Sequence, residues 1–238
     1  MDNYAERYRD AVRERSEFLR RDLRAYLYLR LCSDWATLEK DIGGGNYSGP
    51  VACFALLGLL AKVHRAIEKP EKFALKRLRE TLPACKACGR ATIAYETNES
   101  NAFAMFTSWL EDRGVGLGVI GNDAQACWTA YRNWLVHRFS PKHLIVAFVR
   151  EGRALRDLAE VDARIDNRYH QGERPLRRVD GERWELNVDL LYVLLEPISI
   201  RVAALIQDSH GHGDTGEVLD YLLLGIEPAD VQPRARSD

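Results

Sequence analysis

At 238 residues and a formal net charge of -1, the chain has room for one large domain or two small ones, and its acids and bases nearly cancel. That balance excludes a strongly basic nucleic-acid coat, although not a local basic groove, because binding follows the charge near the ligand. The composition is that of an ordinary globular core, which at this size needs neither metal nor disulfide. The five cysteines form an odd set that suits a reducing compartment.

The N-terminus is charged from its start and reads as no signal peptide. The most apolar stretch, Val51 to Val63, is broken by Gly58 and Lys62 and reads as too short for a bilayer. A cytoplasmic protein with no membrane partner is expected.

Residues 4–31 read as a long helix, with Tyr4, Tyr8, Val12, Leu19, Leu23, Tyr26 and Leu27 at helical spacing. The arginines from Arg7 to Arg24, interspersed with acids, read as a solvated face. Gly43-Gly44-Gly45-Asn46 breaks the chain. A central helix then starts near Pro50, apolar on most sides from Val51 to Glu68, and Pro70 opens a shorter helix over 71–82.

Asn101 to Asp112 is predicted as a helix with an apolar face of Phe103, Phe106, Trp109 and Leu110. Gly114 to Gly121 is expected to be a flexible link. Its GxGxxG pattern follows a helix rather than a strand, which removes the dinucleotide reading. Asn122-Asp123 is the expected cap of a helix running to Phe139, with Pro141 as its stop.

His143 to Val149 reads as a strand, and residues 153–171 as a charged helix whose Glu160, Asp162 and Asp166 form a solvated face. Leu176–Val179 and Arg183–Val188 flank an Asp180-Gly181 hairpin turn. A last strong helix is expected over about Asp189 to Gln207, and the tail after Gly225 is expected to be loose. The fold class is therefore mainly α: a helical bundle with a small β-hairpin or sheet insertion. One domain over 1–225 is expected, with the N-terminal helix packed on it and a loose tail over 226–238.

Two features with metal-binding residue types read as something else. Cys85-x-x-Cys88 lacks the second pair that a structural zinc needs, and His210-Gly211-His212-Gly213-Asp214 reads as a polar turn. No P-loop or Ser-His-Asp signature is present, and no cofactor or metal is expected.

The chemically pointed feature is Arg132-Asn133-Trp134-Leu135-Val136-His137. On a helical wheel Ala124, Cys127, Trp128, Tyr131, Trp134 and Leu135 form the core stripe. His137 falls on the opposite face with Ala126, Ala130 and Asn133, and Arg132 lies at the edge between the two. A histidine serving only the core would share the stripe. Imidazole titrates near neutrality and can move the proton of a ribose 2′-hydroxyl or of the leaving oxygen. Guanidinium stays charged and can hold a phosphate through two donors while negative charge develops. Asn133, one turn before His137, can orient the imidazole or contact phosphate.

These residues resemble the HEPN superfamily (higher eukaryotes and prokaryotes nucleotide-binding domain), whose signature is Arg, a polar residue next, and His four to six residues after the Arg, on a bundle helix. Arg132, Asn133 and His137 match it, and Phe139, Pro141 and Lys142 follow as in bacterial HEPN-like proteins. The resemblance covers about residues 45–207. It implies a helical bundle acting as a homodimer, a metal-independent endoribonuclease with RNA as substrate, and a toxin or defence role with an antitoxin as candidate partner. The implied catalytic residues are Arg132, His137 and Asn133. Other members have lost activity, so the alternative is a catalytically inactive HEPN-fold binding protein. Phe139 stands where nucleotidylated toxins often carry tyrosine, which speaks against control by tyrosine modification at this motif.

Overall fold

The computed structural model describes residues 4–24, 48–69, 99–131, 144–147, 158–181, 183–209 and 214–225. The first helix, α1 (Tyr4–Glu17), continues as a π-helix over Phe18–Leu23. It is followed by α2 (Ser48–Glu68), α3 (Glu99–Glu111), α4 (Gly121–Thr129), β1 (Leu144–Ala147), α5 (Leu158–His170), β2 (Leu176–Asp180), β3 (Arg183–Asn187) and α6 (Val188–Asp208). Next comes α7 (Asp214–Leu219), continued as a π-helix over Asp220–Leu224. The described chain is thus predominantly helical with a small sheet.

α1 presents Tyr8, Ala11, Val12 and Ser16 inward, the spacing of one helical face, and the π-helix after it adds Leu19. Tyr4 does not join that face and stays 49% exposed. The helix lies along α6, where the Ser16 hydroxyl donates to the Leu195 carbonyl at 3.0 Å. Arg15 donates to the Leu223 carbonyl at 2.7 Å, and the Tyr8 hydroxyl to Asp220 at 2.9 Å, closing the C-terminal helix onto the first.

α2 packs against both α3 and α6, and α3 against α4. One continuous cluster of buried apolar residues runs from Tyr8 through Leu57, Phe106 and Trp128 to Leu223. Its aromatic centre is Phe54, Phe103, Trp128 and Tyr131, with Phe54 stacked on Tyr131 at 4.5 Å and Phe103 on Trp128 at 4.7 Å. Each such pair adds about 0.5–1.5 kcal/mol beyond simple burial. Gly58 belongs to this centre, because a Cβ there would come within 2.6 Å of the Trp128 ring.

α2 is longer than the Val51–Val63 stretch: Gly49–Glu68 is long and apolar enough to cross a membrane. Two-thirds of that window is buried inside the protein, so its apolar character is accounted for by its place at the bundle centre.

The sheet has the order β1-β3-β2. β2 and β3 form the expected hairpin, with Leu176 opposite Leu186. β1 pairs in parallel with β3, Leu144 opposite Trp184, a geometry that requires a long crossover, and α5 lies in that crossover. Trp184 and Leu186 face the bundle and are buried, so alternation turns Arg183, Glu185 and Asn187 to the other side. Asn187 then caps α6, its side-chain oxygen accepting from the Leu190 N–H at 3.2 Å.

The tail 226–238, the short helix over 71–82, Gly43–Asn46 and the end of the first predicted helix beyond Arg24 lie outside the described residues.

Candidate functional site

Arg132, Asn133 and His137 lie outside the described residues, as do Phe139, Pro141 and Lys142. The chain on either side of them is described: the upstream flank is buried in the core, and the downstream flank pairs with β3. On the upstream side, Ala124, Cys127, Trp128 and Tyr131 are all buried, as the wheel predicts, while Ala126 on the opposite face is exposed and Ala130 half-buried. Tyr131 ends this segment fully buried. Burial raises its hydroxyl pKa, and Cys127 and the Glu185 carboxylate of β3 add to the shift. On the downstream side the chain is again described at Leu144, which pairs with Trp184, the neighbour of Glu185.

A cavity of about 710 Å³ opens on the outer side of this sheet, against the end of α5 and the α3–α4 loop. Arg168, Arg174 and Arg177 line it, with Glu173, Glu185 and Asn187. Arg168 is held by Glu173 through Nε at 2.8 Å and a terminal nitrogen at 2.7 Å. Arg177 makes a two-pronged contact with Glu185 across the hairpin, both bonds 2.9 Å. Arg174 is fixed differently: its guanidinium lies 4.6 Å over the Tyr169 ring and donates to the Tyr169 and Glu173 carbonyls at 3.2 and 3.1 Å. The Tyr169 hydroxyl in turn donates to the Gly116 carbonyl at 3.3 Å.

The glycine-rich stretch before α4 is therefore not the flexible link that composition suggests. Val115, Leu117 and Val119 are buried, and the Leu117 carbonyl accepts from the Leu176 N–H at 2.9 Å. Gly118 makes the approach possible: its φ is +90°, and a Cβ would lie 2.2 Å from the Leu176 carbonyl oxygen. Nor do Asn122 and Asp123 cap α4, whose N-cap position is Ile120 with no side-chain bond, although Asp123 sits in the first turn.

Sequence reading did not find the groove arginines. They belong to a helix end, the turn after it and a hairpin strand, and the α3–α4 loop closes the groove beside them. The available signal was the run from Arg174 to Arg183, which holds four arginines: Arg174, Arg177, Arg178 and Arg183.

Two buried polar clusters also depart from the sequence reading. Arg24 is no part of a solvated stripe: it is fully buried, paired with Asp162 and with Asp189 at 3.6 Å, and lies 5.1 Å from the Tyr192 ring. Asp162 is accordingly an ion-pair partner rather than a free surface acid. Between α2 and α3, His64 packs on Trp109 at 4.9 Å and Phe106 at 5.7 Å, and Arg113 lies 4.4 Å over Trp109. Burial, helped by the Arg113 charge, pushes the His64 pKa down to about 4.

Among the described residues no group of three or more His, Cys, Asp or Glu could hold a metal ion. Cys85, Cys88, His210 and His212 lie outside them. Burial pushes the Cys53 thiol up to about 12 and raises Cys127 as well, so neither is a nucleophile near neutrality.

No family model matches the chain, and neither a curated protein nor a solved structure matches it.

Proposed function

We propose that this protein is a HEPN-like, metal-independent endoribonuclease, cytoplasmic and homodimeric, of the toxin or defence-associated kind. The observation that supports the reading best is the two-sidedness of α4. Its large residues are committed to the core up to Tyr131, its opposite face is small and turned outward at Ala126, and the Arg132-Asn133-x-x-x-His137 motif begins at the next residue.

In this reading His137 takes the proton from a ribose 2′-hydroxyl, the freed oxygen attacks the adjacent phosphorus, and the 5′-oxygen leaves with a proton. A second His137, brought by a twofold-related copy, supplies the complementary acid. Arg132 carries the charge that grows on the phosphoryl oxygens, and Asn133 orients the imidazole. The 2′-hydroxyl is the nucleophile, so the chemistry calls for no metal.

The test is cleavage of labelled single-stranded RNA in the presence of EDTA by the wild-type chain and by His137→Ala. Loss of about 10²–10⁴-fold is expected, with unchanged circular dichroism. Equal cleavage by the two ends the catalytic assignment. RNA bound but left intact by the wild-type chain would place the protein among the inactive, binding members instead.

A further inference from the structure

We propose that the cavity bounded by the end of α5, the α3–α4 loop and the β2–β3 hairpin binds the sugar-phosphate backbone of single-stranded RNA. The groove inference rests on the ribonuclease reading for its ligand but on different residues.

Three arginines line the cavity, and each is held in place with part of its guanidinium left over. Arg168 and Arg177 use Nε and one terminal nitrogen on their glutamates, which leaves the other terminal nitrogen of each without a partner among the described residues. Arg174 has no carboxylate partner among the described residues. Its plane is set by the Tyr169 ring and its position by two carbonyls, and Nε and the second terminal nitrogen remain. Fixed guanidinium edges around one opening suit successive phosphates, which accept such donors in pairs.

The glutamates do not close the site. Arg168–Glu173 and Arg177–Glu185 are surface pairs, with side-chain exposures of 38%/44% and 66%/18%. Solvent-screened pairs are weaker than a charge-assisted guanidinium–phosphate contact, so a phosphate can share or displace them. Arg183, on the same side of the hairpin as Glu185, is paired with Asp180, whereas Arg178 lies over the Trp184 ring on the bundle side, paired with Asp123, and is no part of the groove.

Position favours RNA over a small phosphorylated ligand. Glu185 lines the cavity, and its neighbour Trp184 pairs with Leu144, seven residues after His137 in the sequence. A strand in the groove therefore passes beside the β-strand that holds the downstream flank of the motif.

The experiment uses the full chain carrying His137→Ala, so that RNA stays intact, and measures anisotropy of a fluorescein-labelled 12-nucleotide RNA between 50 and 200 mM KCl. Adding Arg174→Ala and Arg177→Ala should weaken binding at least about tenfold at 50 mM and reduce the salt slope by about 1.4, the loss of two single-strand phosphate contacts. Arg174→Gln alone, a milder change, should weaken binding with the melting temperature preserved. Arg13→Ala with Arg21→Ala removes the same charge from exposed positions on the first helix and should leave affinity within about twofold.

Equal losses in the groove and control variants, or no RNA binding by the parent chain, overturn the groove. Cleavage by the wild-type chain with a KM indifferent to Arg174 and Arg177 overturns the groove and keeps the ribonuclease. Groove-dependent binding without cleavage keeps the groove and removes the ribonuclease.

Discussion

Acidification from pH 7 to pH 4 should destabilise this protein through one buried side chain, His64. Its ring packs against both Trp109 and Phe106 and is 3% exposed, and desolvation, with Arg113 nearby, holds its pKa near 4 against about 6.5 in an unfolded chain. At pH 7 both states are neutral at this position, so the group is silent. As pH falls through 6.5 the unfolded chain takes a proton that the folded chain refuses, and stability is lost until pH reaches about 4, where the folded ring protonates too. The interval corresponds to about 3 kcal/mol, a large part of an ordinary domain's stability.

Urea denaturation at pH 7 and pH 4 measures the loss, and His64→Leu isolates it. Carboxylates titrate over the same range in both proteins and cancel in the comparison. The wild type should lose about 3 kcal/mol more between the two pH values than the variant. An identical acid loss in His64→Leu would refute the assignment of the acid limb to this imidazole, whatever the variant's stability at pH 7.

Three further substitutions test the packing that positions the groove and the first helix. Arg24→Met should cost about 3–5 kcal/mol in urea melts, because it leaves the 1%-exposed Asp189 carboxylate without its cation, and Asp189→Asn on that background should recover at least about 1 kcal/mol. Gly118→Ala should lower stability by more than about 1 kcal/mol and weaken RNA binding in the anisotropy assay, since it combines a positive φ with a Cβ placed 2.2 Å from the Leu176 oxygen. Asn187→Ala, removing the cap at Leu190, should cost about 1 kcal/mol by the same melts.

What the sequence disclosed depended on whether the deciding contact was local. The stripe Ala124, Cys127, Trp128, Tyr131 was legible because helical periodicity alone sorts large from small residues, and the hairpin because Asp180-Gly181 is a local turn signal. Arg24 was not legible: an arginine in a run of alternating charges looks solvated, and only Asp162 and Asp189, far away in the chain, make its burial tolerable. The α3–α4 loop misled for a related reason. Its glycines read as slack, yet they alternate with Val115, Leu117 and Val119, all buried, and that alternation was the overlooked signal. The groove combined both difficulties, since its arginines come from a helix end, a turn and a strand, and its wall at Gly118 from a loop whose Leu117 carbonyl bonds to β2.

The register of β3 links these local features. A slip of one residue would turn Trp184 and Leu186 out of the core and drive Glu185 and Asn187 into it, so burial of the first pair fixes the register strongly. That register sets Glu185 opposite Arg177 and Trp184 opposite Leu144. The first pairing shapes the arginine groove; the second places Leu144, seven residues after His137 in the sequence, on the sheet. Because the same five residues also deliver Asn187 to the N-terminus of α6, the groove, the motif's downstream flank and that core helix are held to one frame by two buried side chains. The groove should therefore lose its shape together with the bundle in cooperative unfolding, and an RNA-binding transition that melted separately at lower urea would contradict that coupling.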